Sequence, residues 1–168
     1  MVEETQAMVE ATLEFARGVA KTEPTETIGL ASMLGDLVND VRGGRASLAP
    51  IEPLFATVRP HALNRALRNL IDNAVRYGGS AKVILKQERG MAIISIADKG
   101  PGLPDDQLAA VFEPFVQFES SRSRDTGGVG LGLAIARTII QAHGGSVVLR
   151  NLPEDGLEAV VHLPLGDA

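Results

Sequence analysis

Between residues 62 and 79 the chain reads A-L-N-R-A-L-R-N-L-I-D-N-A-V-R-Y-G-G, and the spacing of its apolar residues admits only one regular structure. Leu63, Ala66, Leu67, Leu70 and Ala74 recur at intervals of three and four, as on one buried face of a helix, while Arg65, Arg68 and Asp72 fall on the opposite side. At about 100° per residue, Asn69, Asn73 and Arg76 form a second stripe along the edge of the apolar face, with Tyr77 between that stripe and the core. Asparagine is a mediocre helix former because its side chain competes for backbone hydrogen bonds. Two of them one turn apart are either solvated amides or the wall of a ligand site, and this helix alone does not choose between the two.

The remaining residues limit what can surround such a helix. At 168 residues and 45% hydrophobic content, the chain supports one compact α/β domain and a short appendage. The absence of cysteine excludes a disulfide framework, a thiolate zinc site and a cysteine nucleophile. A net charge of −5, with arginines scattered among acids, argues against a nucleic-acid partner. The longest apolar run, residues 91–97, is far shorter than a membrane span, and the amino terminus carries acids where a signal peptide needs a basic head. The expectation is a soluble, cytoplasmic chain without membrane contact of its own, whatever anchors a parent protein.

Residues 1–20 open with an amphipathic helix in which Val2, Val9, Leu13 and Ala16 share a seam that calls for a partner. Residues 21–27 read as a linker, and residues 28–41 as a second amphipathic helix stopped by Gly43 and Gly44. Short strand candidates at 46–48 and 54–58 precede the central helix, whose start Pro60 marks. Residues 81–87 and 91–97 form a hairpin whose second strand ends in Asp98, followed by the glycine turn D-K-G-P-G. Residues 105–118 suggest a short helix and then V-F-E-P-F, and residues 119–130 a polar, mobile loop. A strongly apolar helix at 131–142 and strands at 146–150 and 157–163 complete the chain.

The run G-G-V-G-L-G at 127–132 opens directly into that last helix, an arrangement that offers unpaired N–H groups and a positive dipole end to phosphate. No Gly-Lys-Ser/Thr follows, so it is not a Walker loop, and the dinucleotide pattern fails at Leu133. Taken together, N-L-I-D-N-A at 69–74, D-K-G-P-G at 98–102, F-E-P-F at 112–115 and G-G-V-G-L-G-L at 127–133 resemble the N, first glycine, F and second glycine boxes of sensor histidine kinases. The resemblance covers the chain from about residue 28 to 165 and implies a catalytic, ATP-binding domain at 28–168. The implied fold is an α+β, two-layer sandwich, with a mixed, largely antiparallel sheet covered on one face by helices, as in the wider group of gyrase, Hsp90-like and MutL ATPases. Residues 1–20 resemble the second helix of the family's dimerisation and phosphotransfer hairpin.

Carried over by position, the resemblance implies that Asn73 ligates Mg²⁺ through its amide oxygen and that Asn69 supports metal and phosphates from one turn earlier. Arg76 would place positive charge near the phosphates, and Tyr77 would pack against the base or ribose. Asp98 would accept from the adenine amino group, and Gly100 and Gly102 would let the chain pass close to the nucleotide. Phe112 and Phe115 would anchor the near end of a lid whose far end, Gly128, Gly130, Leu131 and Gly132, closes over the phosphates. Singly, Asp98 reads as well as a turn cap, the phenylalanines as core and Tyr77 as a half-buried amphipath; four boxes in order outweigh those readings. The lid arginines Arg122 and Arg124 read as solvated charges.

The implied activity is transfer of the γ-phosphate of Mg²⁺-ATP to a histidine in two-component signalling. His61, His143 and His162 lack the helical, acid-followed setting of the family's acceptor, so the acceptor is expected on a hairpin of the parent or of a separate kinase, with a response regulator as an indirect partner. A hydrolytic ATPase of the same superfamily would need a glutamate where Asn69 stands. The same boxes are compatible with an anti-sigma-type serine kinase, and a nonenzymatic nucleotide-binding interaction module would share their fold. One hairpin helix does not make a four-helix dimer, so monomer is the expectation for this chain.

Overall fold

The structure is a computed structural model and describes residues 22–49, 53–112 and 132–165. In chain order its elements are β1 (Glu26–Gly29), α1 (Leu30–Asn39), β2 (Ala46–Leu48), β3 (Phe55–Val58), α2 (Pro60–Gly78), β4 (Ala81–Glu88), β5 (Met91–Ala97), α3 (Gly132–Ala142), β6 (Ser146–Asn151) and β7 (Leu157–Pro164). The main sheet runs β2-β4-β5-β7-β6, with β2 parallel to β4 and every other pairing antiparallel. β1 and β3 pair antiparallel as a separate ribbon. The α+β sandwich implied by the sequence is therefore the observed architecture.

Strand alternation decides which face of the sheet is covered. Val83, Ile96, Ala159 and Leu149 lie side by side across four strands, as do Leu85, Ile94, Val161 and Val147, and all eight are buried. Against these rows pack Leu63, Ala66, Leu67, Leu70 and Ile71 of α2 and Ile135, Ile139 and Ile140 of α3. Each fully buried Leu or Ile contributes about 1.5–3 kcal/mol, whereas an asparagine within a helix costs at most about 0.7 kcal/mol relative to alanine. Packing on the sheet thus holds α2 in place, and the helix tolerates Asn69 and Asn73 on its rim.

The hairpin between β4 and β5 turns on Arg89 and Gly90, both at positive φ, with Glu88 paired to Met91. Two expectations give way to different local structure. Helix α1 starts at Leu30, and the preceding Glu26–Gly29 is a strand, because β3 offers it a partner that the linker-like sequence does not announce. Within 105–112 the chain forms two 3-10 turns, Asp105–Gln107 and Ala110–Phe112, in place of a continuous helix. The N-terminal helix and the lid lie outside the described residues. Among the described residues no helix is long and apolar enough to cross a membrane.

Candidate functional site

The last two turns of α2, the end of β5, the start of α3 and the β6–β7 turn meet at one end of the sandwich. There Asn73 and Asp98 are the polar members of a narrow crevice, whose apolar wall includes Leu70, Ala74, Ile96, Leu133 and Leu157. Asn73 is half-buried, and Asp98 is 7% exposed, the one buried polar or charged residue among those described. Asp98 does cap its turn: Oδ1 accepts from Gly100 N–H at 2.8 Å and from Leu157 N–H at 3.1 Å. Oδ2 makes no hydrogen bond among the described residues. A carboxylate held rigidly through one oxygen and offering the other is a fixed acceptor, so the turn-cap and ligand readings of Asp98 are compatible.

The backbone around Asp98 leaves no room for side chains. A Cβ on Gly78, the last residue of α2, would overlap the Asp98 carboxylate, and one on Gly100 would lie 2.8 Å from Gly78 Cα. A Cβ on Gly156, at φ 134°, would overlap the Asp98 carbonyl. Gly102 is fixed from the other side, since Asn151 Oδ1 accepts from Leu103 N–H at 2.9 Å while Asn151 Nδ2 donates to the Leu103 carbonyl. Sequence reasoning misses Gly78, Asn151 and Gly156. One signal is present: a helix end needs a single left-handed glycine, which is Gly79 at φ 82°, so the neighbouring Gly78 must have another reason.

One turn before Asn73, Asn69 is half-buried and its Nδ2 donates to the carbonyl of Gly132, the first residue of α3, at 3.2 Å. That bond ties the asparagine stripe to the glycine-led helix. Arg76 is exposed on the last turn of α2 and Tyr77 is half-buried beside Gly100, whose Cβ would meet the Tyr77 carbonyl. Phe112 is 3% exposed in the core, with the Arg137 guanidinium stacked 5.3 Å over its ring. The structure therefore brings together Asn69, Asn73, Arg76, Tyr77, Asp98, Gly100, Gly102 and Gly132, and roots Phe112 at the near end of the expected lid. Phe115, Gly128, Gly130 and Leu131 lie outside the described residues. Among the described residues no group of three His, Cys, Asp or Glu could hold a metal. The Asn73 amide oxygen is a hard ligand of the kind that suits Mg²⁺, a cation that keeps several of its own waters and binds phosphate oxygens.

Residues 58–167 match the family described as histidine kinase-, DNA gyrase B- and HSP90-like ATPase. Sensor histidine kinase GtrS of Pseudomonas aeruginosa is 32% identical over 97% of this chain and 34% of its own length. Signal transduction histidine-protein kinase BaeS of Escherichia coli is 41% identical over 61% of this chain and 23% of its own. Among solved structures, the ATP binding domain of PrrB from Mycobacterium tuberculosis superposes with a TM-score of 0.70 at 28% identity, covering 85% of this chain and 98% of that one. The chain belongs to the histidine kinase-, gyrase B- and HSP90-like ATPase family, as an ATP-binding catalytic domain of the sensor histidine kinase kind. It spans about a third or less of the length of these curated relatives.

Proposed function

We propose that the chain binds Mg²⁺-ATP at the α2–β5–α3 end of the sandwich and delivers the γ-phosphate to a histidine on a separate helical hairpin. The observation that carries this reading is the shared crevice of Asn73 and Asp98, joined to the start of α3 through the Asn69–Gly132 hydrogen bond. In it, Asp98 Oδ2 accepts from the adenine amino group, a contact that opposes the guanine carbonyl. Asn73 would hold Mg²⁺ through its amide oxygen, and the ion would supply charge neutralisation at the phosphates. Asn69, Arg76 and the N-terminal N–H groups of α3 orient the phosphates, with Tyr77 against the base or ribose. The incoming imidazole nitrogen forms its bond to phosphorus as the bond to the ADP oxygen breaks. An amide at Asn69, which cannot take a proton from water, favours transfer over hydrolysis.

Two of the chain's three histidines are poor acceptors. His143 has both ring nitrogens engaged, Nε2 accepting from Arg59 N–H at 3.1 Å and Nδ1 lying 2.9 Å from the Ile139 carbonyl, and His162 is half-buried in β7. The proposed acceptor partner is a hairpin of the parent or a second kinase, with a response regulator downstream of it.

Asn73→Ala tests the site. Calorimetric titration with a nonhydrolysable ATP analogue should show Mg²⁺-dependent affinity falling more than about tenfold, the equivalent of about 1.4 kcal/mol, while the melting temperature holds or rises because alanine is the better helix former. Unchanged Mg²⁺-dependent affinity would remove Asn73 from the site.

A further inference from the structure

Helix α2 begins without a cap of its own. Its N-cap residue is Arg59, whose side chain is donor-only and makes no capping bond, and Pro60 at the first helical position has no N–H to offer. The next two donors are nonetheless satisfied from outside the helix. His61 N–H donates to Glu23 Oε2 at 2.8 Å and Ala62 N–H donates to Glu23 Oε1 at 3.0 Å, across 38 and 39 residues of chain. Leu63 N–H closes the first helical bond to the Arg59 carbonyl at 3.0 Å. Every backbone donor of the first turn is thus accounted for, two of them by one carboxylate that also opposes the positive end of the helix dipole.

Glu23 lies in the segment that joins residues 1–20 to the sandwich, and the helix it caps carries Asn69 at its midpoint and Asn73 one turn later. We infer that Glu23 is a positioning residue, through which the seat of the linker and the occupancy of the nucleotide site are coupled along α2. A linker pulled off the domain takes the cap with it and frays the start of the asparagine helix. By reciprocity, a nucleotide that rigidifies α2 holds the linker down. The inference rests on the nucleotide reading above and extends it to a control input, namely the displacement of the segment that carries Glu23.

The test is amide exchange and titration on the whole chain with Mg²⁺ and the nonhydrolysable analogue AMP-PNP, in the parent, Glu23→Ala and Glu23→Ala/Arg59→Ser. In the parent, the analogue should slow exchange of the Thr22, Thr25, His61 and Ala62 amides. Glu23→Ala should speed exchange at His61 and Ala62 about fivefold, the equivalent of a typical N-cap, and weaken AMP-PNP binding by about two- to fivefold, since coupling cannot exceed the cap's own contribution. Arg59→Ser adds a hydroxyl cap from the helix's own N-cap position. The double variant should therefore regain parental affinity and melting, while the Thr22 and Thr25 amides stay indifferent to nucleotide.

Unchanged exchange at His61 and Ala62 in Glu23→Ala would overturn the cap. Faster exchange with unchanged affinity would overturn the coupling and leave the cap as local structure. A double variant that melts like the parent but binds as weakly as Glu23→Ala would show that the affinity was lost by another route, and would also overturn it. A parent that does not bind AMP-PNP at all overturns the nucleotide reading itself, a result distinct from the other three.

Discussion

Three stretches of backbone, the end of α2, the turn after β5 and the turn before β7, close around Asp98 with no space for a Cβ, and the carboxylate Oδ1 is spoken for twice. Farther back along the same wall Asn69 is half-buried, and among the described residues its side chain is held by a single hydrogen bond, to Gly132 of α3. On the nucleotide reading proposed above, the two ends serve different demands. A base is recognised by an acceptor that is already in place, because any reorganisation on binding would be subtracted from selectivity. A phosphate chain whose last group must be seized, aligned and released needs donors free to move, so slack at that end is compatible with turnover.

The largest effect should come from intruding on the tight end. Gly156→Ala combines a side chain at φ 134° with overlap onto the Asp98 carbonyl and should cost about 3–5 kcal/mol in urea unfolding. The matching change at the open end, Asn69→Ala, should cost less than about 1 kcal/mol. Similar losses at both positions would erase the contrast. Next in size is Asp98→Asn, which keeps an acceptor for Gly100 and Leu157 but presents an amide donor in place of Oδ2. Competition binding should show preference for ATP over GTP reduced about tenfold or more, with melting little changed. Equal discrimination by both proteins would mean that Asp98 serves only the turn.

The smallest effect should lie far from both ends, where the start of α2 meets the end of α3. Burial chiefly holds the His143 imidazole below its ordinary pKa, with Arg59 adding to the depression and the Ile139 carbonyl and Glu23 opposing it. A depressed folded-state value means that the neutral ring contributes stability above the unfolded value, near 6.5, and that this contribution is lost as pH falls through that value toward the folded one. Protonation also removes the acceptor for Arg59 N–H. His143→Gln keeps an acceptor that does not titrate, so melting curves between pH 8 and pH 5 should fall less steeply for the variant than for the parent. Parallel curves would contradict a neutral His143.

How far the sequence carries these conclusions follows from the range over which each signal acts. Helices α2 and α3, the β4–β5 hairpin and the four boxes are legible, because apolar periodicity and glycine or proline punctuation act over a few residues. β1 is not, since Glu26–Gly29 is half exposed, lacks strand alternation and becomes a strand only by pairing with β3. The 3-10 turns at 105–112 pass for a helix in sequence because three-residue turns and a helix leave similar patterns. In the site, the residue types with obvious chemistry stand out. Those that shape its space do not: Gly78 and Gly156 matter only because Asp98 packs against them, and Glu23 only because Arg59 cannot cap.

The central claim, that this chain handles ATP for transfer to an acceptor it does not itself carry, is tested most directly by incubating it with γ-labelled ATP and Mg²⁺, with and without a histidine-bearing helical hairpin. High hairpin concentrations compensate for supplying the hairpin untethered. The expected result is acid-labile, base-stable label on the hairpin alone, lost in Asn73→Ala, with slow release of phosphate to water. Label on the chain itself, mapping to His61, His143 or His162, or rapid ATP hydrolysis without transfer, would contradict the account.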